Sequence, residues 1–126
     1  MPAVEFPDAE KLARDFLAAR LEPTVATKVP NPKPDRFVRA WRTGGVAENR
    51  VVDKPIITVT CTAPDSVTAA ADAGAARSAF LNESAAMPLV RQIEEITGLY
   101  YDPDPDTNED RYSFSVQMTV RGRRTT

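Results

Sequence analysis

The sequence contains no histidine and a single cysteine, Cys61. Without histidine there is no Ser-His-Asp triad, no Cys-His dyad and no histidine-ligated metal. One cysteine can form neither an internal disulfide nor a multi-cysteine zinc site. No apolar run approaches the roughly 18 to 20 residues of a membrane span, and none resembles a signal-peptide core. No phosphate-cradling loop is visible: Gly44-Gly45 marks a turn, with no helix start or lysine after it. Charge of one sign is also lacking. Sixteen basic residues against eighteen acidic ones leave −2, with no global pull toward nucleic acid or acidic lipid. What is present is an ordinary globular composition, 42% hydrophobic and 27% charged. A chain of 126 residues can bury roughly two-thirds of its unfolded surface in one domain. A single domain over 1–126, no enzymatic role, no cofactor and no metal are the expectations.

The pattern along the chain predicts an α+β fold. From Asp8 to Leu21, Leu12, Phe16, Leu17 and Leu21 fall on one helical stripe, with Asp8 as the cap and Pro23 as the stop. Thr24–Val29 reads as a short strand, followed by a stiff connection with prolines at 30, 32 and 34. Phe37–Arg42 is a strand of mixed faces: Phe37, Arg39 and Trp41 on one side, Val38, Ala40 and Arg42 on the other. Val51–Ala63 is a third strand, open to a break at Pro55, with Cys61 on its apolar side as a small core residue. A second, alanine-rich helix runs from a cap at Asp65 or Ser66 to about Asn82. Val67, Ala71, Gly74, Ser78 and Leu81 form a small-residue stripe suited to close packing. Leu89–Tyr101 carries both helical spacing and a strand-like aromatic end; a strand from about Arg91 is favoured. In Arg111–Arg121 the apolar residues Tyr112, Phe114, Val116, Met118 and Val120 alternate strictly with polar ones, the mark of a half-buried strand. The order α-β-β-β-α-β-β implies a mostly antiparallel sheet of about five strands with both helices on one face.

Charge is segregated. Seven acids and no base lie between Glu94 and Asp110. Asp102-Pro-Asp-Pro-Asp106 begins like an EF-hand loop, but Thr107 stands where glycine is required and Ser113 where the bidentate glutamate belongs. A solvated acidic turn is the expectation, and acids crowded on one turn do not make the walled pair a glycosidase needs. Arg36, Arg39 and Arg42 recur along a strand, so Arg36 and Arg42 share a face and Arg39 points away. Phe37 and Trp41 between them invite a nucleic-acid reading, which the net negative charge opposes. Arg121, Arg123 and Arg124 form a short basic end, with 121–126 expected as a flexible tail or docking arm.

Several segments together resemble the tail terminator proteins of long-tailed, siphovirus-type bacteriophages, particularly those of actinobacterial hosts. They are Val29–Gly45 (VPNPKPDRFVRAWRTGG), Phe6–Leu21 (FPDAEKLARDFLAARL), the alanine-rich helix, Gly98–Pro105 (GLYYDPDP) and Arg111–Arg123 (RYSFSVQMTVRGR), in order along nearly the whole chain. The resemblance implies a structural virion protein of the tail and neck, made in the host cytoplasm. It would form a homohexameric ring on the last ring of the tail tube, stop polymerisation of the tube protein and receive the head-completion protein. DNA would pass through the lumen without being read, and no membrane is involved. A head-completion or connector-adapter protein, or a small protein-binding module, are the alternatives. Complementary charged patches suit the heterologous contacts of a ring. The candidate interface residues are therefore Arg36, Arg39, Trp41, Arg42, Asp102, Asp104, Asp106, Arg121, Arg123 and Arg124, with the basic strand and the acidic loop expected on different surfaces.

Overall fold

A computed structural model describes residues 3–124. In chain order the elements are β1 (Val4–Glu5), α1 (Ala9–Ala18), β2 (Thr24–Ala26), β3 (Phe37–Gly44), β4 (Val52–Asp53), β5 (Ile56–Ala63), α2 (Ser66–Glu83), β6 (Val90–Tyr101), β7 (Asp110–Arg121) and β8 (Arg123–Arg124). The fold is α+β. Its main sheet runs β2-β3-β5-β7-β6, with β4 continuing the line of β5 along the same edge of β7. All neighbours are antiparallel except β2 and β3, which are parallel, so the sheet is mixed and holds six strands. A second, two-stranded sheet pairs β1 with β8.

Local chemistry accounts for most of these boundaries. Asp8 caps α1 by accepting the Lys11 amide at 3.0 Å, and Asp65 caps α2 by accepting that of Thr68 at 2.7 Å. α1 ends three residues before the expected Leu21, whose amide still reaches the Leu17 carbonyl at 2.8 Å. Pro55, lacking an N–H, does break its strand into β4 and β5, yet its carbonyl accepts the Met118 amide at 2.9 Å and keeps both pieces on β7. β6 begins at Val90, one residue before the expected start, directly after Leu89 in the left-handed region at φ 67°.

Both helices cover one face of the sheet. Register places Ala40, Val59 and Phe114 in one row across β3, β5 and β7, and Val38, Cys61 and Tyr112 in the next. Phe80 of α2 stacks on Phe16 of α1 at 5.4 Å and meets the edge of Phe114 at 6.2 Å, joining both helices to β7. Cys61 is fully buried, and burial pushes its thiol pKa well up, so it is an inert core residue.

The packed stripe of α2 is not the expected one. Ala69, Asp72, Ala73, Ala76 and Phe80 face the sheet, while Val67 is 78% exposed and Leu81 44%. Alanines lie all round this helix, so spacing alone does not distinguish its inner face; the one large inner residue, Phe80, and the buried Asp72 do. A Cβ at Gly74 would meet nothing within 4 Å, so no close approach requires glycine there. Gly45 differs: its φ is +89°, and a Cβ would lie 2.1 Å from the Lys54 carbonyl oxygen. Gly74→Ala should raise the unfolding free energy by about 0.5–1 kcal/mol, and Gly45→Ala should lower it by about 2 kcal/mol, both read from urea midpoints at unchanged slope.

Candidate functional site

The face of the sheet away from the helices is a ladder of hydroxyls. Thr43 bonds Thr58 at 2.8 Å and Thr58 bonds Ser115 at 2.9 Å; one row along, Thr60 bonds Ser113 at 3.1 Å. Thr60, Thr62 and Ser113 are buried here because two loops fold over this end of the face. One is the proline segment, with a cis Asn31–Pro32 peptide; the other is the acidic loop between β6 and β7. The Lys33 ammonium pairs with the Glu109 carboxylate and latches them together. Between them lies a pocket of about 90 Å3 lined by Lys33, Phe37, Arg39, Trp41, Asp104 and Arg111, among others. The guanidinium of Arg39 stacks 3.9 Å above the Trp41 ring and donates to the Thr27 carbonyl at 3.0 Å.

The acidic loop is an ordered and partly neutralised structure, not only a solvated turn. Asp102 accepts from Arg111 at 3.2 Å and from Ser113 at 2.9 Å. Asp104 accepts the amides of Asp106 and Thr107 at 2.8 and 3.2 Å, which holds its carboxyl below the usual range. The Lys33 hydrogen bond does the same for Glu109, with Thr107 adding to it. Tyr101 donates its hydroxyl to Asp110 at 2.5 Å, and that bond raises the phenol pKa. Asp106 alone of the loop acids is exposed with no ion pair among the described residues.

The three strand arginines divide as the alternation predicts. Arg36 forms a two-pronged ion pair with buried Asp72 at 2.9 and 2.7 Å, and that hydrogen bonding raises its pKa. Arg42 pairs with buried Asp53 at 3.0 Å and also holds the carbonyls of Gly44 and Gly45. Both are engaged within the chain and are not spare interface cations. Arg39 lies on the opposite face with Trp41. The expected separation of basic strand and acidic loop is not found: Arg39, Trp41 and Asp104 line one pocket, because the β6–β7 loop folds back over β3.

Two further surfaces are open. β6 is an edge strand of twelve residues whose outer edge is unpaired among the described residues, and past the reach of α2 it exposes Ile96, Leu99, Tyr100 and Tyr101. Its Glu95 is tied to Arg77 of α2, which lowers the carboxyl pKa. At the far end of β7, Arg121 is exposed, and Arg123 and Arg124 form β8 against β1. The expected flexible tail is therefore paired through Arg124; residues 125 and 126 lie outside the described residues. Gly122 permits this turn, since a Cβ there would come within 2.3 Å of Val4.

No family model matches the chain, and no curated protein matches it. No helix among the described residues is long and apolar enough to cross a membrane.

Loss of the latch should show in acid. A carboxylate with a depressed folded pKa adds stability above its unfolded value, about 4.3 for glutamate, and that stability is lost as pH falls through the folded pKa. Lys33→Met should therefore lower the melting temperature at pH 6, match wild type near pH 2, and have the shallower decline between them.

Proposed function

We propose that this chain is a structural ring subunit of the tail-terminator kind: a homohexamer that caps a phage tail tube, stops its polymerisation and presents a joining surface to a head-completion protein in the virion neck. The observation that carries the reading is the long free edge of β6 with its four exposed apolar residues. An unpaired strand edge of this length is an association surface unless a monomer protects it with charge, proline or a bulge. Glu94 and Glu95 supply charge only near its start, and Glu95 is already paired. The apolar half, 96–101, is where a neighbouring subunit would dock. The register shifts of β6 between Glu95 and Tyr100 shield its backbone from a fully added strand, so the contact would be made chiefly through the exposed side chains of Ile96, Leu99, Tyr100 and Tyr101. The sequence resemblance supplies the type of ring, and it covers the β6 segment through Gly98–Pro105. DNA would traverse the lumen of such a ring.

Native mass across a concentration series tests this. A species of six chains, imaged as a ring with an open lumen, is expected, and Ile96→Asp with Leu99→Asp should shift it to a folded monomer with an unchanged circular dichroism spectrum. A wild-type monomer at every concentration up to about millimolar, with the double variant indistinguishable from it, would sink the ring and favour a small binding module.

A further inference from the structure

At the end of the sheet opposite the acidic loop, β8 turns back onto β1 beside the 46–51 loop. They enclose a pocket of about 670 Å3 lined by Val4, Val51 and Gly122 and by Arg50, Arg121 and Arg124, among others, with no carboxylate in the lining among the described residues. None of these three arginines, nor the adjacent Arg123, is in an ion pair among the described residues. Elsewhere arginines are matched to acids: Arg36 to Asp72, Arg42 to Asp53, Arg77 to Glu95, Arg111 to Asp102. Glu5 stands opposite Arg123 in register, and Glu48 shares the loop with Arg50, yet neither closes an ion pair. Of the six arginines without an ion pair among the described residues, Arg39 and Arg91 lie elsewhere and the other four cluster around this one concavity.

We propose that this pocket binds the phosphate backbone of duplex DNA, without reading bases. Guanidinium groups stay charged at every working pH and fit phosphate oxygens two at a time. A water occupies about 30 Å3, so the pocket has room for several adjoining groups rather than a single ion. An acidic peptide would have to be ordered on binding, and no groove here does that. Duplex DNA arrives already rigid, with one charge per about 1.7 Å, and needs only an open cluster of cations. The acidic loop does not cancel the attraction. Asp110 and Arg121 lie at opposite ends of β7, about 36 Å apart at about 3.3 Å per residue. That is several times the screening length of about 8 Å at physiological salt. The proposal goes beyond the ring and stands without it.

The test is fluorescence anisotropy of two labelled duplexes of unrelated sequence, each of about 30 base pairs, between about 50 and 200 mM salt. Wild type should bind both within twofold of one another, with a log–log salt slope near −2.7 from about three phosphate contacts. Arg50→Gln/Arg121→Gln/Arg124→Gln should weaken binding at least tenfold and flatten the slope. Lys11→Gln/Arg14→Gln/Lys28→Gln, with the same charge change outside the pocket lining, should bind within twofold of wild type. Circular dichroism and melting curves establish that both variants fold. Equal losses in the two variants, no binding by wild type, or tighter arginine-dependent binding of labelled poly-glutamate than of duplex would each overturn the proposal. Native mass is recorded on the same samples. A chain that binds DNA through these arginines yet stays monomeric up to about millimolar would sink the ring and leave this inference standing.

Discussion

Everything in this fold hangs on the two-sided pairing of β7. Its residues bond β5 and β4 along one edge and β6 along the other, and among the described strands it alone has three partners. The strict alternation that permits this also sorts its two faces. Phe114, Val116, Met118 and Val120 point into the helices, while Ser113 and Ser115 join the hydroxyl ladder outside. A one-residue slip would exchange these sets, placing serines against Phe80 and apolar groups under the loops, so the register is strongly specified.

The Thr60 and Ser113 hydroxyls on the outer face are compatible with burial because each has a partner. Thr60 and Ser113 satisfy one another, and Ser113 also donates to Asp102. That last bond carries the order of the sheet into the acidic loop. Arg111 clamps the same carboxylate, and Lys33 brings in the proline segment from the other side of the chain. The loop is thereby drawn down over the β3 surface, and the Arg39–Trp41 stack becomes the wall of a small pocket rather than a bare basic strand.

The remaining open surfaces differ in chemistry. The β6 edge is apolar with an unpaired backbone, which suits a protein neighbour. The β1–β8 end is a cluster of unpaired guanidinium groups, which suits a polyanion. They sit at different parts of the long β6–β7 hairpin, so a proposed ring contact through 96–101 and a proposed DNA contact through Arg50, Arg121 and Arg124 do not compete for the same residues.

Short-range patterns made much of this legible in advance. The cap at Asp8, the break at Pro55, the buried Cys61 and the alternation of β7 all depend on residues within a few positions of each other, and each appears where the pattern puts it. So does the α+β class with helices on one face. Other features depend on partners distant in sequence. The parallel pairing of β2 with β3 has no local signature, and β1 and β8 are two-residue strands too short for any period. The Lys33–Glu109 latch spans 76 positions, and Arg50 reaches the C-terminal arginines only after the sheet has formed. The inner face of α2 was decided by Phe80 and Asp72 finding Phe16 and Arg36, since alanines all round a helix give it no preferred side. The sequence by itself therefore determined the two helices, the longer strands and which residues of β7 turn inward, because backbone propensity and side-chain alternation are local. Only the tertiary structure decided which arginines are neutralised and which are left free, because that depends on carboxylates brought near by folding.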